Sequence, residues 1–382
     1  MSFEENIAKL NELFFFREFT FSETTFRPTT TREIELADNV IWLDELLIVF
    51  QLKEREASNI KTSEDEKQWF DNKVRKKATK QIRDTLQYLE TNNIIELQNH
   101  RGHYFNLTFS KIRSLHKLVV YLPNELLPEE LRRVKYHRSR TAGIIHLLAA
   151  NDYLGIVQTL ITPAEVADYL NFREALIQEW QEAVFLLPEQ ALVGQYLSGE
   201  LATQPRLDFL EYLNTLRCQT NEWDMSGVIK TFPNHITSGN SPTDYYFIVK
   251  AIARLNRNEL REFKKRFQLS VTKAKANEFE LPYRIACPRT DCGFVFVPLT
   301  KDVVSHRNIL LKNFTLLHKY DQRMSKCLGV SLAPEGNGWF SAEWCYLEFP
   351  WTEEPILANK LQHNNPFREV KPVETNRYKF RE

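Results

Sequence analysis

The chain has no net charge to offer a partner. Its 50 Lys plus Arg balance its 50 Asp plus Glu over 382 residues, so affinity for a polyanion has to come from local patches. It lacks the charged-then-apolar start of an export signal, beginning MSFEENIAKL, and no run approaches the length of a membrane span. Its five cysteines, Cys218, Cys287, Cys292, Cys327 and Cys345, form an odd set without the spacing of a disulfide framework. These absences lead us to expect a cytoplasmic protein with no membrane contact. There is also no internal repeat, no glycine-rich phosphate loop and no GxSxG elbow, so three common signatures of binding and catalysis are missing. What is present is globular material: 43% hydrophobic and 26% charged residues argue against wholesale disorder, and the length allows two or three domains with real cores.

The most informative stretch is residues 33–55, EIELADNVIWLDELLIVFQLKER. Ile34, Val40, Ile41 and Trp42 make one β-rich run and Leu46 to Phe50 a second, with Leu43-Asp44-Glu45 as a tight connection, which reads as a β-hairpin. The second run is nearly free of polar residues, as expected of a strand covered on both faces, and it ends in Gln51-Leu52-Lys53. Alternation puts Gln51 and Lys53 on one face, and folding the hairpin back brings Glu35 and Asp38 towards them. An acid, an amide and an amine in one place suit metal-assisted attack of water on a phosphodiester: the carboxylate holds a hard cation and the ammonium stabilises charge on the phosphoryl oxygens. A plainer reading makes Asp38-Asn39 a bulge or turn, Gln51 a ladder cap and Lys53-Glu54-Arg55 a solvated strand end.

Asp38, a hairpin and then Gln51-Leu52-Lys53 resemble the PD-(D/E)xK superfamily of restriction-endonuclease-like phosphodiesterases, in which an Asp at the start of one strand is followed by acid-x-Lys on the next. The resemblance covers about the first third of the chain. It implies that Asp38 is the central metal ligand and Lys53 the motif lysine, with Mg²⁺ or Mn²⁺ as cofactor. Gln51 stands where the family has its second acid, as in Mrr-type Q-x-K versions. Glu35, or Glu12 or Glu18 of the first helix, would supply the missing charge, and the Leu52 backbone carbonyl would be a further ligand. The implied function is a metal-dependent endonuclease acting on nucleic acid, DNA rather than RNA, with a role in bacterial defence. A homo-oligomer or a defence-system partner protein is implied alongside.

The flanking sequence fits that frame. Residues 2–18 read as a helix capped by Ser2, with Ile7, Leu10, Leu13 and Phe14 at helical spacing. Ser22 to Arg32 reads as a flap over the site or an ordinary connector. From Ser63 a long helix runs to about Glu90, apolar at Val74, Ala78, Ile82, Leu86 and Leu89. Lys73, Lys76, Lys77 and Lys80 lie on another face, which either meets a phosphate backbone or is simply solvated, and Gln81 lies one turn from Lys77. Ile94 to Phe109 reads as a second hairpin, with His100 and His103 at its tip as metal ligands or proton carriers or, in preference, as surface residues. Leu118 to Leu122 is an apolar strand that closes a first domain at residue 122. Residues 123–140 carry Arg132, Arg133, Lys135, His137, Arg138 and Arg140, either a linker helix with a basic face or a further phosphate contact.

The expected fold class is therefore an α/β restriction-endonuclease-like domain, a mixed sheet flanked by helices, over residues 1–122, and a helix-rich α+β domain over 141–382. The latter has a loop near 231–243 as a candidate subdivision, a basic helix over Tyr245 to Lys265, and buried thiols in preference to a zinc site at Cys287 and Cys292. It would serve recognition, partner binding or dimerisation. The rivals to a nuclease are a catalytically inactive nuclease-fold subunit that binds nucleic acid, and an assembly subunit whose aromatic C-terminal half forms an interface.

Overall fold

The computed structural model describes residues 2–22, 25–29, 32–55, 62–92, 94–200, 202–217, 222, 224–225, 229, 241, 243–369 and 371, without the side chains of 25–29 and 32–35. Within these residues no helix is long and apolar enough to cross a membrane. The chain divides into two compact units, Met1–Cys218 and Gln219–Asn376. Each mixes helices with its own sheet.

The first unit begins with α1, Phe3–Phe15, whose start is fixed by a capping box: the Ser2 hydroxyl accepts from the Glu5 N–H, and Glu5 reaches back to the Ser2 N–H. Strands β1 (Thr20–Ser22), β2 (Thr25–Thr29) and β3 (Arg32–Glu35) follow. The expected hairpin is present as β4, Asn39–Leu43, and β5, Leu46–Lys53, paired antiparallel from Asn39↔Phe50 to Leu43↔Leu46. Its two-residue connection holds Asp44 at φ 53°, a left-handed position that Asp tolerates. Ile34 and Glu35 are not part of this hairpin. They lie on β3, which pairs with β2 in a separate ribbon with Glu35 opposite Thr25, because the chain breaks out of the strand at Leu36-Ala37-Asp38.

A helical stretch then runs over α2 (Ser63–Trp69), a π-helical segment (Phe70–Lys77) and α3 (Ala78–Thr91). The hairpin β6 (Ile95–Gln98) and β7 (Tyr104–Leu107) follows, then β8, Ser114–Tyr121, which pairs parallel with β5. The sheet does not stop there. A short helix α4 (Glu129–Arg132) leads to β9 (Tyr136–Ser139) and β10 (Gly143–Ala149), and β10 pairs parallel with β8 from His146↔Leu118 to Ala149↔Tyr121. The strand order is β1-β4-β5-β8-β10-β9, a mixed six-stranded sheet. This corrects the domain boundary expected at 122 and the linker expected over 123–140. The apolar run of β10 is the strand between β8 and the edge strand β9, its residues Ile144 to Leu148 all buried.

Helices α5 (Ala150–Thr159), α6 (Pro163–Glu179), α7 (Gln181–Leu186), α8 (Glu189–Ser198) and α9 (Phe209–Arg217) complete this unit, so the helix-rich segment expected of the C-terminal domain belongs to the first one. One face of the sheet packs Val119, Tyr121, Ile145 and Leu147 against Phe70, Val74, Ala78 and Ile82 of the long helix. On the other, the Phe50 ring meets Tyr153 of α5 edge-on at 5.6 Å, and the Tyr153 hydroxyl donates to Asn11 of α1 at 2.5 Å. With helices on both faces β5 has no wet side, which is why it reads as an unbroken apolar run.

Two buried histidines of this unit make it acid-sensitive. Burial, then the neighbouring Lys117 ammonium, pushes His116 down to about 4. Burial, then the Arg173 guanidinium, which donates to His146 Nδ1 at 2.9 Å, holds His146 well below its ordinary range. Both are neutral when folded and take up a proton when unfolded. Their stabilisation is complete above the unfolded value near 6.5 and falls as pH drops below it, for His116 through about 4. At pH 5 each should cost about 2 kcal/mol relative to neutral pH. Urea titrations at pH 7, 6 and 5 should show a steady fall in midpoint, and His146→Gln should flatten it.

The second unit is built on a four-stranded sheet, β11-β12-β13-β14, with β11 (Tyr283–Cys287), β12 (Cys292–Pro298), β13 (Lys326–Gly336) and β14 (Trp339–Glu348). The basic helix expected over Tyr245 to Lys265 is two helices, Tyr246–Ala253 and Arg257–Ala276. The break falls at Asn256, which starts the second with a capping box to Glu259. Its cations are engaged locally: Arg257 is buried, Arg261 pairs with Glu222, Lys264 donates to the Asp224 carbonyl, and Arg266 pairs with Glu262. Cys287 and Cys292 face each other across β11 and β12 as buried free thiols, burial pushing Cys292 up to about 12. Cys218, Phe380, residues 57–61 and the loop expected at 231–243, apart from Ser241 and Thr243, lie outside the described residues.

Candidate active site

The site forms where β5 runs past the start of β4. Because Asn39 is opposite Phe50, the residue before it, Asp38, falls beside the end of β5. The Leu52 N–H donates to Asp38 Oδ2 at 2.5 Å. The Lys53 ammonium donates to Asp38 Oδ2 at 3.3 Å, to Gln51 Oε1 at 3.1 Å and to the Leu52 carbonyl at 2.8 Å. Three acceptors match the three N–H bonds of an ammonium, so its position is over-determined. Gln51 is fully buried, and the Lys53 and Asp38 side chains are only 11% and 8% exposed.

Asp38, Leu52 and Lys53 line a cavity of about 920 Å³, together with Ser2 and Glu4 from α1, Glu54 and Arg55, and Asn124 after β8. Its helical wall is Glu66, Trp69, Lys73, Lys77 and Gln81, the last four spaced four residues apart. In an α-helix each four-residue step overshoots a turn by roughly 40°, so such a row would drift around the helix. The π-helical segment between Trp69 and Ala78 widens the turn, seen in the Ala78 N–H donating to the Lys73 carbonyl five residues back, and this reduces the drift. Of the expected lysine stripe, Lys73 and Lys77 therefore reach the cavity. Lys76 donates to Asn72 at 3.3 Å, and neither it nor the exposed Lys80 lines the cavity. Gln81 Oε1 is buried and has no hydrogen-bond partner among the described residues.

Other expected residues go elsewhere. The Glu35 side chain lies outside the described residues. Glu12 pairs with Arg17 and His100, and Glu18 with Arg101, so neither acid of α1 and its exit joins Asp38. Arg132 donates to the carbonyls of Asn124, Glu125 and Leu127, holding the loop after β8, and Arg133 pairs with Glu129. Lys135 is buried on Glu189 at 3.2 Å. Sequence reasoning missed Arg55, which pairs with the buried Glu66 beside Trp69. Its only signal was a position two beyond Lys53, in line with the face of Gln51 and Lys53.

Among the described residues no three or more His, Cys, Asp or Glu side chains gather as a metal-binding group. The donor set at the hairpin is Asp38, the Gln51 amide oxygen and the Leu52 carbonyl: three hard oxygens, one anionic. That fits Mg²⁺ or Mn²⁺, hard cations that keep several waters and take one or two carboxylates plus substrate phosphates. Comparison of the chain with protein-family models, curated proteins and solved structures returned no match.

Proposed function

We propose that the first unit is a metal-dependent nucleic-acid phosphodiesterase with a restriction-endonuclease-like core, acting on DNA in preference to RNA. The observation that carries this reading is the meeting of Asp38, Gln51 and Lys53 at the end of a buried hairpin, beneath a helix that lines the same cavity with Lys73 and Lys77. Asp38, Gln51 and the Leu52 carbonyl would hold Mg²⁺ or Mn²⁺, which supplies Lewis-acid activation of water and of the phosphoryl group. Once a cation takes Asp38, Gln51 and the Leu52 carbonyl, the Lys53 ammonium would be released from these acceptors to stabilise charge on the phosphoryl oxygens, and Lys73 and Lys77 would hold neighbouring phosphates. A cytoplasmic role in defence, with a second copy or a partner protein, belongs to this reading.

One observation favours a second reading, a nucleic-acid-binding subunit without catalysis: among the described residues Asp38 is the single carboxylate bonded to Lys53 in the cluster, and Gln51 stands in place of an acid. Strand scission separates the two. Circular DNA, linear DNA and single-stranded RNA should be incubated with wild type and Asp38→Ala in Mg²⁺, Mn²⁺ or EDTA. The nuclease reading expects metal-dependent cutting of DNA that Asp38→Ala abolishes. Binding without cutting in every metal would replace it with the second reading.

A further inference from the structure

The first unit holds a second cluster of reactive side chains, at the other end of α1. Ser2 and Glu4 of that helix line the Asp38 cavity, whereas Glu12 lies eight residues on, roughly 12 Å along the axis. There Glu12 Oε1 lies 2.5 Å from His100 Nδ1, and His100 Nε2 contacts the Ser22 hydroxyl. A carboxylate on Nδ1 fixes the proton at that nitrogen and turns the Nε2 lone pair towards the serine, the arrangement that a general base needs to activate a hydroxyl. The three residues are 78 and 88 positions apart in sequence and come from a helix, a strand end and a hairpin tip.

The imidazole is held by a built turn. Asn99 is buried, donates to the Glu18 carbonyl at 2.9 Å and accepts the N–H groups of Arg101 and His103, both at 3.0 Å. Gly102 at φ 80° lets the tip close, and the His100 N–H bonds the Thr20 carbonyl, two residues before Ser22. The other Glu12 oxygen is held by Arg17 at 2.7 Å, so the carboxylate is fixed at both ends. Ser22 itself is half-buried at the end of β1, open to solvent on one side. A hydrogen-bonded tie between elements needs neither a fixed tautomer nor an accessible hydroxyl, and this cluster has both.

We infer that Ser22 is an activated nucleophile that takes the acyl group of small, activated esters, with His100 as its base and Glu12 as the residue that positions His100. In the forward step Ser22 Oγ bonds to the ester carbonyl carbon while its proton passes to His100 Nε2. The ester C–O bond then breaks, and the departing alkoxide takes that proton and leaves as the alcohol. Water, deprotonated by the same nitrogen, attacks the acyl-serine. The acid leaves, and Ser22 regains its proton.

The test uses the full chain and a fluorophosphonate probe, which bonds phosphorus to an activated serine and releases fluoride, with the labelled peptide located by mass spectrometry. Wild type should label at Ser22, and the label should vanish in urea and in Ser22→Ala. His100→Ala should slow it by about 10²-fold or more. Glu12→Gln should also slow it and Glu12→Asp should restore part of the rate, a rescue that loss of a mere tie would not give. Asp38→Ala should label as wild type does, so the outcome is independent of the phosphodiesterase reading. No label at Ser22 in wild type, or a rate equal to that of the urea-unfolded chain, overturns the proposal without recourse to any variant.

Discussion

Glu189→Ala should cost the first unit about 3–5 kcal/mol and lower its urea midpoint by roughly 1–3 M. Glu189 opens α8 fully buried and takes four contacts from three partners: Arg173 Nε at 2.6 Å, Arg173 Nη2 at 3.2 Å, Lys135 at 3.2 Å and the Tyr169 hydroxyl. Burial alone would raise its carboxyl, but the Arg173 and Lys135 charges outweigh that and hold it well below the usual range. Its stabilisation is thus present above the unfolded carboxylate value and persists into acid. Arg173 is also fully buried and ties α6 to the carbonyls of Lys135 and Leu147. Removing the carboxylate strands two buried cations, the costly way to break such a pair, and Arg173→Met with Glu189→Ala should cost less than the two single changes summed. An unchanged midpoint for Glu189→Ala would show that the network contributes nothing to stability.

Lys53→Ala should lower the cleavage rate by about 10²–10³-fold in kcat, with KM nearly unchanged. The Lys53 ammonium acts where charge develops on phosphorus. Lys53→Arg should recover only part of the loss, because a planar guanidinium cannot direct three N–H bonds to Asp38, Gln51 and the Leu52 carbonyl as the ammonium does. Single-turnover cleavage with melting curves for each variant checks this. A variant that melts like wild type and cuts at the wild-type rate would remove Lys53 from the chemistry.

The hairpin was legible because both of its determinants are local. A doubly covered strand shows as an unbroken apolar run, and side chains two apart must share a face, so Gln51 and Lys53 meet whatever the rest of the chain does. The helix after it was legible as an apolar stripe, but its turn was not. Periodicity assumes 3.6 residues per turn, and only the hydrogen-bonding pattern selects Trp69, Lys73, Lys77 and Gln81 over the expected lysine row. The basic run at 132–140 read as a surface because partners many residues away are invisible in a window. Lys135 finds Glu189, and Arg132 finds three carbonyls at the preceding turn.

The sequence by itself determined the β4–β5 hairpin, the helices on either side of it and the residue types at the hairpin's end, since each follows from spacing within about a dozen residues. Tertiary structure alone decided that β10 extends the sheet past residue 122, that Arg173 and Glu189 meet in the core, and that Ser22, His100 and Glu12 converge. Each of these joins residues at least sixteen positions apart, beyond the reach of a local pattern. A charged or nucleophilic side chain carries no mark of the partner that packing will bring to it.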